Sequence, residues 1–175
     1  MRRNLRSLLR RTDGTAIVEF SLVLPVMLLM TAGVVEYGVA FQAFNGANRL
    51  AAQYAAAWAD CSDNPAGTCA TELTTLASTM TVANIVPQLA QSRLTLTLAQ
   101  VQMSSSGPVA VYAYPTGRSL TDAEKTAAAA TIPTGQVGVV VTTTYTHQFQ
   151  LFSAFLSGVP SNWLSATYTI AQLKS

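Results

Sequence analysis

One apolar stretch near the N-terminus constrains the fold of this chain more than any other feature. Residues 15–35 contain a single charged side chain, Glu19. As an α-helix they extend over about 32 Å at 1.5 Å per residue, which is enough to cross a hydrocarbon core of about 30 Å. The sequence therefore predicts one membrane-spanning helix, with the rest of the fold built on its C-terminal side.

The distribution of charge predicts the orientation of this helix. Five of the ten basic residues precede the apolar stretch: Arg2, Arg3, Arg6, Arg10 and Arg11. Only Arg49 lies within some 20 residues after it, so the positive-inside rule keeps the N-terminus cytoplasmic. Without residues 1–14 the chain has five basic and seven acidic side chains, and its net charge changes from +2 to 5 − 7 = −2. No basic face remains for nucleic acid.

Two interpretations of the N-terminus leave Glu19 unexplained. A secretory signal cut near Gly38-Val39-Ala40 would have a basic and then an apolar region, but this stretch is long and continues without a break into helix-favouring sequence. A plain membrane anchor would have no use for a carboxylate, which costs about 2.5 to 3.5 kcal/mol when ionised at the bilayer centre. An acid in a membrane helix indicates function, with a partner to be found.

Proteolysis between Gly14 and Thr15 would create that partner. The new α-amino group of Thr15 would lie four residues before Glu19, on the same helix face, and would be positively charged near neutral pH. A glycine followed five residues later by glutamate and then an aromatic residue, here Phe20, is typical of type III and type IV prepilin processing sites. The short basic leader and the apolar helix complete this pattern.

The whole segment resembles a known family. The run "GTAIVEFSLVLPVMLLMTAGVVEYGVAFQAFNGANRLAAQYAA" is similar to the TadE-like pseudopilins of the Tad (tight adherence, Flp pilus) machinery. The matching features are Val18-Glu19-Phe20, Leu24-Pro25, Glu36-Tyr37-Gly38 and the alanine-rich continuation, and the likeness is specific over residues 14 to about 58. Flp major pilins have Glu-Tyr in place of Glu-Phe and are far shorter, which favours a minor pilin. TadG-type relatives share the N-terminal block, are not all cut at the glycine, and in some cases carry a metal-binding adhesion domain, whose Asp-x-Ser-x-Ser motif is absent here.

The resemblance implies a function and its partners. We expect a prepilin-peptidase substrate that assembles, through Glu19, Phe20 and the Thr15 amine, into or beside a Tad-type pilus used for adherence. The implied partners are the inner membrane, the prepilin peptidase, other Tad pilins or pseudopilins and the pilus assembly platform. The implied location is the bacterial inner membrane with the head periplasmic or extracellular, and the pilus after assembly. The alternative is an uncleaved single-pass envelope protein whose extracytoplasmic head binds a ligand.

Two further features concern local structure. Pro25 removes one backbone donor in the middle of the membrane and frees the Ser21 carbonyl, so the helix is expected to kink there, unless the proline is tolerated without consequence. Cys61 and Cys69 would face an oxidising compartment, and their spacing suits a disulfide worth roughly 2.5 kcal/mol in the chain-entropy model.

Beyond the membrane the helix is predicted to continue to about Trp58. Alanines recur there every four residues, at Ala43, Ala47, Ala51, Ala55 and Ala59. Such a ridge lets a sheet or helix approach closely, although alanine is also simply the best helix former. Tyr54 and Trp58 are expected to end the contact with a globular head. The predicted division is a leader at 1–14, a transmembrane half at 15–37, an outer half at 38–59 and a head at 60–175.

The head is predicted to be α+β. A loop at 60–69 leads to a second helix near 71–86, and then the period changes to two in "RLTLTLAQVQM", "PVAVYAY", "QVGVVVTTTYTHQF" and "SATYTIAQL". The first of these changes phase, which suggests a bulge near Ala99. Residues 119–133 are expected to be an insertion in which Thr121 and Glu124 form a capping box before an alanine helix. About four mostly antiparallel strands would pack one face on the outer half of the long helix, as in pilins.

Residues that carry catalysis are not evident. His147 is the one histidine and is interpreted as a satisfied or surface side chain, and Asp122 and Glu124 as exposed acids at a helix start. The chain contains no Gly-x-Ser-x-Gly, P-loop, Gly-x-Gly-x-x-Gly or His-Glu-x-x-His pattern. We expect no enzymatic activity, no cofactor and no metal.

Overall fold

One long helix organises the fold. The structure, a computed structural model, describes residues 12–61, 71, 75, 89–149 and 164–174. Helix α1 is Thr12–Ala59, a 48-residue segment that extends over about 72 Å at 1.5 Å per residue. The helix continues through Pro25 without a break. The predicted long N-terminal helix is therefore confirmed.

A four-stranded antiparallel sheet follows in the chain. Its strands are β1 (Leu94–Ser104), β2 (Gly107–Tyr114), β3 (Val137–His147) and β4 (Leu164–Leu173), in the spatial order β2-β1-β3-β4. A short 3-10 helix, Gln91–Arg93, precedes β1, and helix α2 (Asp122–Thr131) connects β2 to β3. Every neighbouring pair is antiparallel. The predicted α+β class and the four strands are confirmed.

The alanine ridge of α1 packs against one face of the sheet. All five ridge alanines are buried, at 0 to 1 % exposure, and lie in one core with alternate residues of β3: Val139, Val141 and Tyr145. The Thr143 hydroxyl donates a 3.0 Å hydrogen bond to the Ala47 carbonyl oxygen. A strand side chain can reach a helix carbonyl in this way because alanine places only one methyl group in between. The close approach predicted from the ridge is thus confirmed.

Aromatic residues end this interface as predicted. Trp58 and Tyr54 are buried in the same core, and the Trp58 ring meets the Tyr112 ring of β2 edge-on, with centroids 5.8 Å apart. Burial raises the pKa of the Tyr54 hydroxyl. The outer end of α1 is therefore packed against β2 as well as against β3.

Helix α2, which lies in the segment expected to be an insertion, covers the other face of the sheet. A second core lies between α2 and the sheet and consists of Ala99, Val101, Met103, Leu120, Ala128, Ile132 and Val140. The head therefore has three layers, α1, the sheet and α2. The predicted capping box is present: the Glu124 N–H donates to the Thr121 hydroxyl, and the Thr121 N–H donates to the Glu124 carboxylate.

The phase change in β1 follows from this two-sided burial. Pairing between β1 and β3 is unbroken from Leu94↔Tyr145 to Gln102↔Val137. An irregularity does occur beside the predicted position, between Gln100 and Val101, but it lies in the pairing with β2, where Val111 is the extra residue. The leucines at the start of β1 face α1, and the apolar residues after them face α2.

Some predictions fall outside the described residues. Of the second predicted helix, near 71–86, only Thr71 and Thr75 are described, and both are helical. The Thr75 hydroxyl donates to the Thr71 carbonyl oxygen over 2.8 Å. Most of the loop at 60–69, including Cys69, is likewise outside, so the disulfide with Cys61 stays a prediction.

Candidate functional site

The N-terminal half of α1 presents an uncovered apolar surface. From Ala16 to Val35 no side chain is buried. Among the described residues, α1 is also the helix whose length and composition suit a membrane crossing, with a mean hydropathy of 2.1 in its most apolar window. Its exposed large side chains include Ile17, Phe20, Leu22, Val26, Met27, Leu28 and Met30. A surface of this kind requires lipid or other apolar helices around it.

The predicted processing residues lie at the start of this surface. Gly14 and Thr15 belong to the helical backbone of α1, as do Glu19 and Phe20, and the latter two side chains are exposed. Residues four apart are neighbours on one helix face, so an amine created at Thr15 would lie one turn from the Glu19 carboxylate. Cleavage and charge neutralisation stay predictions.

Polar groups within the apolar surface are turned back onto the helix. The Ser21 hydroxyl donates to the Val18 carbonyl oxygen, and the Thr31 hydroxyl to the Met27 carbonyl oxygen, both over 2.8 Å. A hydrocarbon environment requires such internal pairing because it offers no water. The Ser21 hydroxyl is therefore bonded to a carbonyl one turn before the Ser21 carbonyl that Pro25 frees.

Burial begins abruptly at Glu36. This residue, at 5 % exposure, is the first buried position from Ala16 onward in α1, and Ala40 and Ala43 follow it on the same side. The carboxylate meets a histidine at the end of β3: Glu36 Oε1 lies 3.6 Å from His147 Nε2. The point where the sheet first touches α1 is thus occupied by two ionisable side chains.

His147 differs from its predicted environment. It is buried at 5 % exposure, so it is not a surface residue, and neither ring nitrogen has a hydrogen-bond partner. Its ring packs edge-on against Phe149, with centroids 5.3 Å apart, and Phe149 in turn packs against Tyr37 at 5.9 Å. The sequence did not predict the contact between Glu36 and His147, because the two residues are more than a hundred positions apart in the chain.

A second buried carboxylate fixes α2 to the sheet. Glu124 was expected to be exposed, and that expectation is wrong, since its exposure is 0 %. Both guanidinium NH groups of Arg118 donate to it, at 2.8 and 2.9 Å, and the Thr142 hydroxyl donates at 3.0 Å. Burial alone would raise the pKa of this carboxyl, but these bonds, the Thr121 N–H and the charge of Arg118 together lower the pKa to about 2. The capping box was the one local signal of this network.

Comparison with known proteins places one segment of the chain in a family. No curated protein and no solved structure matches the chain significantly. Residues 14–57, about a quarter of the chain, match the family model described as TadE-like protein. A TadE-like region supports a pilin-related role in the Tad system in general, and together with the apolar helix it suggests membrane anchoring. The resemblance drawn from the sequence is confirmed over this segment, which is similar to TadE-like proteins.

Proposed function

We propose that this protein is a minor pilin or pseudopilin that is processed by a prepilin peptidase and helps to initiate, prime or tip a Tad-type pilus used for adherence. Its role is structural, and we assign it no catalytic residue, cofactor or metal. Before assembly it resides in the bacterial inner membrane with its N-terminus cytoplasmic and its head outside. Its partners are the peptidase, other Tad pilins and the assembly platform.

One observation carries the proposal. Composition alone extends the candidate span over Ala16–Ala59, but the sheet covers one side of α1 from Glu36 onward. The uncovered part, residues 16–35, is about 30 Å long at 1.5 Å per residue, which equals the thickness of a hydrocarbon core. The N-terminal half of this helix is apolar and long enough to cross a bilayer, and its C-terminal half carries a folded head. This arrangement suits transfer of the helix from a membrane into a helical filament.

The proposed mechanism depends on Glu19. In the bilayer an ionised carboxylate requires a counter-charge, and the Thr15 amine released by cleavage supplies one within the same subunit or to a neighbouring copy. Phe20 and the surrounding apolar side chains then pack between subunits while the head projects outward. Assembly would therefore follow proteolysis, because the uncleaved chain has a peptide group where the amine is needed.

Cleavage is tested by mass spectrometry of the protein extracted from native membranes. We expect Thr15 as the first residue. Gly14→Val should block processing, whereas Gly38→Val, a matched change on an exposed part of the same helix, should not, because a Cβ at Gly38 meets no atom within 4 Å. An intact Met1 terminus in functional pili contradicts the proposal.

The role of Glu19 is tested separately from cleavage. Glu19→Gln should leave Thr15 as the first residue and reduce incorporation into sheared pili, measured by immunoblot against the membrane pool. Met30→Leu, an apolar change on the same exposed surface, serves as the control. Unchanged incorporation of Glu19→Gln would remove the assigned charge role.

The alternative is an anchored envelope protein that never joins a filament. Its head would work without processing, so Gly14→Val would leave its activity and location unchanged. Release by signal peptidase near residue 41 is a third possibility, and the packing argues against it. Such a cut would remove Glu36 and Ala40, which are buried against the head.

The disulfide belongs to the same proposal, since it requires an extracytoplasmic head. Cys61 is buried at the end of α1, where a link to Cys69 would close a short loop. Alkylation of the denatured protein before and after reduction, followed by intact mass measurement, tests the pairing. Label on both cysteines without reduction contradicts it.

A further inference from the structure

We propose that two copies of this chain pack side by side through the back of α1, with Arg49 of one copy contacting Asp60 of the other. The back of α1 consists of exposed positions that face away from the sheet: Gln42, Asn45, Arg49, Ala52, Ala56 and Asp60. The inference rests on the proposed function, since it requires copies that meet during assembly. It adds a register to that function and implies that the protein does not act as a lone tip subunit.

Charge is sparse on this surface. Arg49 is the sole charged side chain between residues 37 and 59, and Asp60 directly follows the last residue of the helix. Both side chains are exposed, and within the described part of the chain neither has an ion-pair partner. A helix back that contacts only water typically carries several charges, often paired one turn apart. One turn before and after Arg49 the residues are Asn45 and Gln53, which carry no charge.

Helical spacing places the two charges on the same side of α1. The Asp60 N–H donates a 3.1 Å hydrogen bond to the Ala56 carbonyl oxygen, so the helical hydrogen bonding continues through residue 60. Arg49 and Asp60 are eleven positions apart, which is about three turns and about 16 Å along the helix. They therefore share a side of the helix but are too far apart to pair within one copy.

A second copy, parallel to the first and displaced by about three turns, brings the two charges together. The copy further from the membrane contributes Arg49, and its neighbour contributes Asp60. The exposed alanines between them, Ala52 and Ala56, allow the two helix backbones to approach closely. Copies at the same level would instead place arginine beside arginine, which is repulsive. The contact therefore forms only after one copy has moved outward by about 16 Å.

The contact is also one that can continue. Each copy uses Arg49 toward one neighbour and Asp60 toward another, so the two surfaces in contact are different and the interface is heterologous. Such an interface generates an open helical row when successive copies advance along the axis. A row of this kind has the geometry of a filament.

Cross-linking in sheared pili tests the register. Arg49→Lys retains the positive charge and supplies an amine, which a carbodiimide couples to a carboxylate in direct contact. We expect a linked peptide that joins residue 49 to Asp60. Such a link comes from two copies, because the residues are about 16 Å apart within one. Gln42→Lys, which places the amine about two turns earlier on the same side, should give no link to Asp60.

The outcomes separate this inference from the proposed function. If the pili contain the protein but the link from residue 49 is absent, joins a different pilin or is no stronger than the link from residue 42, the register is wrong and the proposed function stands. If the protein is absent from pili, the proposed function fails and this inference fails with it.

Charge reversal provides a second test. Arg49→Asp and Asp60→Arg should each reduce incorporation into sheared pili about fivefold, and the double variant should restore it. Lys125→Asp, an exposed change on α2, serves as the control. Near-ultraviolet circular dichroism checks that each variant keeps the fold of the head. Single variants that assemble normally, or a double variant that does not recover, overturn the pairing between copies.

Discussion

Replacing Glu124 by glutamine should destabilise the head strongly. The carboxylate accepts hydrogen bonds from Arg118, from the Thr121 N–H and from the Thr142 hydroxyl, at an exposure of 0 %. An amide retains the size of the side chain, but it offers one acceptor oxygen in place of two and no charge. The guanidinium of Arg118, itself 16 % exposed, would then be left without its counter-ion.

The size of the effect follows from the pKa of the carboxyl. It is lowered from 4.5 to about 2 in the folded protein, and each pH unit corresponds to 1.36 kcal/mol, so the interactions of the ionised form are worth about 3 kcal/mol. Because the folded pKa is depressed, this stability is present above the unfolded pKa and is lost as the pH falls through the folded pKa. The window therefore runs from about pH 4.5 down to about pH 2.

Equilibrium urea unfolding of the full-length protein in detergent, followed by near-ultraviolet circular dichroism, provides the assay. Asp122→Asn is the matched control, because Asp122 lies in the same helical turn but its side chain is fully exposed and pairs with Lys125 at 3.3 Å on the surface. We expect about 3 kcal/mol of destabilisation for Glu124→Gln at neutral pH and no comparable loss for the control. The variant should also lose most of the stability change between pH 4.5 and 2. Equal unfolding midpoints for the two variants at neutral pH would refute the reasoning.

Three further substitutions test the packing by the same unfolding assay. Gly138→Ala should be destabilising by several kcal/mol, because a Cβ there would lie 2.7 Å from the Gln172 carbonyl oxygen and also overlap Ile132, whereas Gly38→Ala should be neutral or slightly stabilising. Ala47→Leu should cost about 1 to 3 kcal/mol by forcing the sheet away from α1, with Asn48→Leu on the exposed side as the control. Thr143→Val should cost about 1 kcal/mol, since it removes the hydrogen bond to the Ala47 carbonyl oxygen.

The parts of the fold that depend on periodicity could be predicted from the sequence. In β3 the alternation of Val139, Val141, Thr143 and Tyr145 places one face on α1, and the four-residue repeat of alanines identifies the opposing face of the helix. Both signals are local, because each element displays its own buried side. The capping box at Thr121 is local in the same sense, and it gave the start of α2 correctly.

Features that depend on which layer covers which face could not be predicted in the same way. The phase change in β1 has two possible causes, a bulge or a switch from one covered face to the other, and the sequence of one strand does not separate them. Gly138 is required because Ile132 and the β4 backbone approach it from two other elements. The burial of Glu124 likewise depends on Arg118 and Thr142, which are brought together only when α2 lies on the sheet.

The size of the apolar side chains along α1 distinguishes its uncovered part from the part that packs on the sheet. Hydropathy alone does not separate the two parts. From Ile17 to Phe41 the exposed large apolar side chains are Ile, Val, Leu, Met, Phe and Tyr, as lipid or neighbouring helices require. From Ala40 onward the sheet-facing positions become mostly alanine, because the sheet approaches closely enough for Thr143 to donate to the Ala47 carbonyl oxygen. Glu36 stands where one pattern gives way to the other. A buried charge at that position is unfavourable without a partner, and the last residue of β3, His147, lies 3.6 Å from the Glu36 carboxylate.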